Sequence, residues 1–317
     1  MPLREKSLIA GIRRQARPGR SVISGIGDDC AVLRVSPGHE LLVTTDFSLE
    51  GIHFRRQWHA PEVIGHRCFA RGLSDIAAMG GRPIAAFLSL ALPSNLSQAW
   101  VNRFLKGLLT LADRFGVALA GGDTAQSPSG ILADVVVVGS APRGQAIRRS
   151  GARPGDRIFV TGQLGGSAAA LKRLFAGHEL RPINFPRHFR PEPRIGVGQW
   201  LLKRKLASAM IDLSDGLSTD LSHICEESGV GVEIWADAIP RASIGKPSRP
   251  VDLPLALHGG EDYELLFTAR PGKRVPSRIV GVAITQIGEV TRGKQMVLVN
   301  AQGKRSALPA KGWEHFA

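Results

Sequence analysis

The chain is short of cysteine, of tyrosine and of acidic residues. Its cysteines, Cys30, Cys68 and Cys225, are far apart and form no CxxC pair, so neither a disulfide framework nor a cysteine zinc site is indicated. No apolar run reaches the ~20 residues of a membrane-spanning helix. "PIAAFLSLALP" is too short, and "GILADVVVVGSA" is interrupted. The opening "MPLREKSLIAGIRRQ" lacks a signal-peptide h-region, and its apolar residues recur at helical spacing. A cytoplasmic protein with no membrane partner is expected. The G-x-x-x-x-G-K-[ST] phosphate loop is absent, and so are the HRD and DFG signatures of protein kinases. No fixed-period repeat or low-complexity tract is present.

Acids are outnumbered by bases, 27 to 41, for a net charge of +14. The bases are scattered, with short clusters such as "RQARPGR", "IRRSGARPGDR" and "LKRKL". No aromatic-rich RNA motif or finger spacing accompanies them. Specific nucleic-acid binding is therefore not expected, and the basic surface reads as one that attracts nucleotide phosphates. A non-catalytic polyanion-binding protein is the competing class. It would bind nucleic acid with a steep salt dependence and would have no use for the aspartates described below.

With 317 residues, 43% of them hydrophobic, the chain is long enough for two domains. Residues 3–16 read as a helix, and "HELLVTTDFSLEGIHF" as a strand running into a polar loop. "PEVIGHRCFARGLSDIAAMGG" reads as a helix stopped by Gly80 and Gly81, "PIAAFLSLALP" as a buried strand, and "SQAWVNRFLKGLLTLADRFG" as a helix closed by Gly116. "VALAGGDTAQSP" and "GILADVVVVGSA" read as strands about a glycine-rich turn. A boundary is expected in "APRGQAIRRSGARPGD", dividing 1–140 from 141–317. Beyond it come strand, glycine loop and helix in "RIFVTGQLGGSAAALKRLF", and strand, turn and helix in "SAMIDLSDGLSTDLSHICEESG". "QIGEVTRGKQMVLVN" reads as a closing hairpin. The mixture of strands, helices and hairpin-like pairs predicts an α+β fold.

The few acids sit at the ends of elements beside small residues: Asp28 and Asp29, Asp46, Asp75, Asp123, Asp212 and Asp215, Glu261 and Asp262. Each alone has a structural explanation, since Asp caps helices and forms turns. "LSDIAAM" and "LSDGLSTDL" in particular look like caps. All of them sharing that fate in an acid-poor chain is less expected. If the element ends converge, the carboxylates require cations, and hard oxygen ligands suit Mg²⁺. Phosphoryl transfer fits, because its catalysis is mostly positioning and charge neutralisation. "VTGQLGGSAAAL" offers a possible phosphate cradle at a helix start; tight packing of a turn explains its glycines equally well.

In order, "GIGDDCAVL", "TTDFSLEGIHF", "LSDIAAMGGRP", "AGGDTAQSP", "RSGARPGD", "VTGQLGGSAAAL", "AMIDLSDGLSTDLSHI" and "GGEDYELLFT" resemble the thiamine-monophosphate kinase family of the aminoimidazole ribonucleotide synthetase superfamily. The likeness runs from about residue 5 to "KGWEHF". It implies a two-domain α+β architecture with an N-terminal ATP- and Mg²⁺-binding, dimerising domain of mixed sheet and helices, and a C-terminal domain that completes the active site. It implies a homodimer and ATP-dependent conversion of thiamine monophosphate to thiamine diphosphate. By position, Asp29, Thr44, Thr45, Asp46, Asp75, Asp123, Asp212 and Asp215 match ligands of several Mg²⁺ ions. Gly122, Asp123, Arg149 and Ser214 match ATP contacts, and His53, Glu261 and Trp313 match the thiamine side. No residue is assigned as a general base, because the acceptor phosphate is already ionised. On an extended chain Asp28 and Asp29 point to opposite sides, so Asp29 is read as a ligand and Asp28 as a brace. Two departures stand out: "GGDTAQSP", with Ala125 and Gln126, replaces the family's usual "GGDTTRSP", and "RGLSD", with Arg71 and Gly72, replaces "VNLSD". Another ATP-using member of the superfamily is the alternative enzyme; a selenophosphate synthetase would need a reactive N-terminal Cys or selenocysteine, and none precedes Cys30.

Overall fold

Two units form, one of Met1–Ile76 with Gly81–Gly144, the other of Ala77–Gly80 with Gln145–Ala317. The computed structural model describes residues 5–17, 19–26, 30–245 and 248–314; Asp28 and Asp29 lie outside them. No helix among the described residues is long and apolar enough to cross a membrane.

The first unit begins with α1 (Glu5–Gln15) and a small antiparallel pair, β1 (Val22–Ser24) and β2 (Val32–Leu33). β3 (His39–Leu49), α2 (Pro61–Ala78), β4 (Arg82–Pro93), α3 (Gln98–Phe115), β5 (Ala118–Ser127) and β6 (Leu132–Pro142) follow. α3 starts where Ser97 accepts the Trp100 N–H and ends at Gly116 in the left-handed conformation, the cap chemistry its sequence announces. The four long strands pair in the order β3-β6-β4-β5. β5 and β6 are successive but not neighbours, because β4 lies between them and pairs parallel with β5 and antiparallel with β6. The hairpin-like reading of these two strands is thus corrected. Local pattern identifies strands, whereas their partners depend on which apolar faces must be covered. One face of the sheet is buried: Leu42, Ala133, Val135, Val137, Leu88 and Leu90 are at most 8% exposed.

In the second unit β7 (Arg157–Thr161), α4 (Gly166–Phe175), α5 (Pro186–Phe189), α6 (Ile195–Lys203), β8 (Ala209–Asp212) and α7 (Leu217–Ser228) come first. They are followed by β9 (Gly231–Trp235), β10 (Ser243–Ile244), β11 (Arg249–Pro250), α8 (Leu253–His258) and β12 (Leu265–Ala269). β13 (Arg278–Ile279), β14 (Val282–Thr291), β15 (Met296–Val299) and β16 (Arg305–Ala307) end the unit. The main sheet runs β16-β15-β9-β14-β7-β12-β8, with β13 added beside β14. β14 and β15 do not close as the expected hairpin. β9 inserts between them, antiparallel to β14 and parallel to β15. The core joins Ile158, Val160, Ile211 and Leu266 of the sheet to Leu217, Leu221 and Ile224 of α7. Glu264, wholly buried, is held by Arg194 (2.5 Å), Arg187 (2.9 Å) and the Thr161 hydroxyl (2.5 Å), which supplies the pairing a buried carboxylate requires.

Candidate active site

Strand alternation sorts the acids of the first unit. Thr44 and Asp46 share the buried face of β3 with α2, while Thr45 and Phe47 point to the open face. On the covered face the Thr44 hydroxyl donates to Asp75 Oδ2. Asp75 also hydrogen-bonds Asp46, and Arg71 approaches Asp46 Oδ1 at 3.5 Å. Burial and the neighbouring Asp75 charge push the Asp46 carboxyl up to about 7, against the opposing pull of Arg71. Arg71 and Asp75 are one helical turn apart and so lie on the same face of α2. Gly72 lets that face come close, since a Cβ there would stand 2.7 Å from Val137 Cγ2. Both departures in "RGLSD" thus have a place in this chain: a cation beside the acids and room for the helix. Asp75 is no helix cap. It stands in the last turn of α2, where the helix dipole disfavours a carboxylate. That corrects the cap reading of "LSDIAAM".

The open face and the sheet edge carry the rest of the first unit's candidates. The Thr45 hydroxyl donates to Asp134 Oδ1 at 2.6 Å. Asp134 on β6 is registered with Ser89 on β4, and Ser89 with Asp123 on β5, which lines the two acids up across the sheet. Asp123 is exposed and accepts the Thr124 N–H at 2.8 Å. Gly122 (φ +144°) is required by close approach, because a Cβ would lie 1.9 Å from Leu88 O. The Thr124 hydroxyl is buried without a hydrogen-bond partner. Ala125 and Gln126 are exposed. His53 sits in the loop after β3, where its Nδ1 accepts the Leu49 N–H at 3.0 Å.

The second unit gathers its candidates about one turn. Asp212 ends β8 and is 4% exposed. Residues 213–216 are pinned from three sides. Leu213 N–H donates to Glu264 O (2.8 Å), and Tyr263 N–H to Leu213 O (2.9 Å). Glu261 N–H donates to Ser214 O (2.7 Å), and Trp313 N–H to Asp215 O (3.0 Å). Asp220 Oδ2 accepts the N–H groups of Asp215 (3.1 Å) and Gly216 (3.0 Å). Glu261 and Tyr263 hold positive φ, +64° and +49°, a cost that marks functional segments more often than ordinary turns. Burial and the Asp215 charge push Asp220 up to about 7, with the two N–H donors and Arg149 pulling down. The exposed Arg149 is therefore close enough to act on this turn. Trp313 is 55% exposed, so its ring is not a packed C-terminal anchor. Neither Asp212 nor Asp215 caps α7, whose N-cap residue is Gly216; Asp220, in the first turn, reaches back to the N–H groups of Asp215 and Gly216 just before the helix.

Asp262 has a different task. Its Oδ2 accepts Gly165 N–H at 2.6 Å and its Oδ1 accepts Ser167 N–H at 3.5 Å, at the start of α4. Burial lifts its carboxyl to about 7. Two of the N–H groups that "VTGQLGGSAAAL" offered to a phosphate, those of Gly165 and Ser167, are thus already used within the protein.

Among the described residues no three His, Cys, Asp or Glu side chains stand together as a metal site. The acids come as pairs, Asp46 with Asp75 and Asp215 with Asp220, each with a member pushed to about 7. Asp29, a proposed ligand, lies outside the described residues. Sequence reasoning passed over Asp134 and Asp220. An Asp inside the valine-rich "LADVVVV", and one five residues beyond Asp215 on a helix, were the available signals.

Two family models match the chain: AIR synthase related protein, N-terminal domain, over residues 27–141, and AIR synthase related protein, C-terminal domain, over residues 153–300. The thiamine-monophosphate kinase of Salmonella typhimurium is 39% identical, across 99% of this chain and 98% of that protein. A crystal structure of thiamine-monophosphate kinase from Stenotrophomonas maltophilia has a TM-score of 0.82 at 36% identity, covering 96% of this chain and 99% of its own. A structure of AaThiL complexed with AMPPCP and TMP has a TM-score of 0.78 at 34% identity, covering 89% of each chain.

Proposed function

Because the chain belongs to the thiamine-monophosphate kinase family of AIR synthase related proteins, we propose that it transfers a phosphoryl group from ATP to thiamine monophosphate, yielding thiamine diphosphate. One observation in the protein itself carries the reading most directly. Asp46 and Asp75 face each other on the covered side of the sheet beside Arg71, and burial with the Asp75 charge pushes the Asp46 carboxyl up to about 7. The relatives' names and the AaThiL complex with an ATP analogue and TMP support the same two substrates.

The donor chemistry fits Mg²⁺. Hard carboxylate oxygens occur in pairs, and in each pair burial and the neighbouring acid push one carboxyl up to about 7. The residues that would hold the ions are Asp29, Thr44, Thr45, Asp46, Asp75, Asp123, Asp212 and Asp215. Bound Mg²⁺ would neutralise phosphate oxygens and so offset the repulsion between two polyanions.

The chain's own groups do the rest. Thr44 and Thr45 donate to Asp75 and Asp134 and so hold these carboxylates in fixed orientations. Gly122 with Asp123, and Ser214 with Arg149, are assigned to ATP. The Arg149 guanidinium supplies a fork of donors to phosphate oxygens. The acceptor phosphate is ionised near pH 7, so no side chain needs to remove a proton. Glu261, His53 and the exposed Trp313 are assigned to thiamine, whose cationic thiazolium and flat pyrimidine suit a carboxylate and an indole face. A homodimer through the first unit is part of the proposal. It is supported by the uncovered face of β3, where Leu41, Val43 and Phe47 are 51%, 66% and 58% exposed. A cytoplasmic location completes it.

The test is direct. Purified protein given ATP, Mg²⁺ and thiamine monophosphate is expected to form thiamine diphosphate and ADP. Absence of product from correctly folded protein overturns the assignment.

A further inference from the structure

Phosphoryl transfer makes no use of the basic cluster "RQARPGR", yet in the first unit that cluster borders a cavity of about 380 Å³. The walls come from the segment after α1, the start of β4, and the junction of α3 with β5. The volume lies in the range of small-molecule sites, roughly 300–1,000 Å³.

The charges on the walls decide what fits. Arg17, Arg20 and Arg82 line the cavity, and Asp113 is the one acid among its lining residues. Asp113 pairs with Arg17 at 3.4 Å. Among the described residues, Arg20 and Arg82 have no side-chain hydrogen bond or ion pair. A guanidinium does not shed its charge, so two uncompensated cations face the same space. The C-terminus of α3 points the other way electrostatically, but it contributes only about half a negative charge. Its carbonyls at Ala112 and Asp113 already accept the N–H groups of Val117 and Gly116. The field in the cavity is therefore positive, and Ser21 and Ala118 leave room rather than filling it.

The cavity is separate from the nucleotide motif. It touches β5 at Ala118, whereas Asp123 lies five residues on, roughly 15 Å along an extended strand.

We propose that this cavity is a second anion site that takes a phosphorylated small molecule, bound by the guanidinium forks of Arg20 and Arg82 with Arg17 as a third donor. Arginine's planar fork matches phosphate oxygens two at a time, which gives the site both charge and geometry. Asp113 sets its strength by competing for Arg17.

The probe is inorganic pyrophosphate, titrated calorimetrically into the full chain in chelator-containing buffer at low and at high salt. Saturable binding that weakens with salt is expected. The double variant Arg20→Ala/Arg82→Ala should bind at least about tenfold more weakly, while kcat and KM for the phosphoryl-transfer reaction stay near wild type. Asp113→Asn should bind severalfold more tightly, because it frees Arg17. Arg20→Gln/Arg82→Gln serves if the alanine variant is unstable. No saturable binding to the wild type, equal affinity in wild type and double variant, or weaker binding by Asp113→Asn overturns the proposal. The readout is binding and not turnover, so it stands or falls apart from the kinase assignment.

Discussion

Asp46 and Asp75 hydrogen-bond each other across the gap between β3 and α2, with Arg71 beside Asp46. Two facing acids are a poor way to stabilise a fold and a good way to hold a cation. Asp75→Asn should therefore lower kcat by roughly a hundredfold or more. Its thermal midpoint should stay at or slightly above wild type, because like-charge repulsion is relieved. Steady-state kinetics and a thermal melt check both; a variant that keeps its rate would make the pair structural. Asp262 is an acid of the other kind, buried and capping α4. Its carboxyl is raised to about 7 from an ordinary value near 3.8. The folded state thus holds a proton that the unfolded state releases. The stability linked to Asp262 is full below about pH 4 and is lost as pH rises through 7. Asp262→Asn removes this dependence. The difference in melting temperature, variant minus wild type, should grow by several degrees between pH 5 and pH 8, on the order expected for a domain of this size.

At the scale of elements, the turn between β8 and α7 is where sequence and packing meet. The turn is held by backbone bonds to the segment around Glu261 and to Trp313, and from inside by Asp220. Asp220→Ala leaves the N–H groups of Asp215 and Gly216 without their partner. That should cost about 1–3 kcal/mol, read as a lower urea midpoint at unchanged slope. Because Ser214 and Asp215 ride on the same turn, activity should fall further than stability alone explains. The ranges of these elements were legible in the sequence. α3 was read with its apolar stripe and its stop at Gly116, α2 with its stop at Gly80 and Gly81, and β3 and β4 as strands. Strand neighbours were not legible. β4 separates β5 from β6, and β9 separates β14 from β15, because long-range pairing is decided by which faces are left to cover and not by adjacency in the chain.

At the scale of the whole molecule, the open face of β3 has Leu41, Val43 and Phe47 standing in solvent along one row. An apolar sheet face of this kind is expected to be covered by a second copy. Val43→Lys combined with Phe47→Lys should shift the sedimentation coefficient from dimer to monomer; an unchanged dimer would move the interface elsewhere. The motifs alone determined the family and the α+β class, and they named acids to test, because they are short stretches of fixed residue types that can be read without the fold. They could not show that Asp75 lies in the last turn of a helix rather than at a cap, since capping and ligation use the same residue type. Nor could they show what Thr44 and Thr45, on opposite faces of one strand, would meet there, the first braced to Asp75 and the second to Asp134. Those assignments belong to the tertiary structure alone. A side chain's neighbours are set by strand register and helix packing, which bring together residues as distant as Thr45 and Asp134 that no local pattern connects.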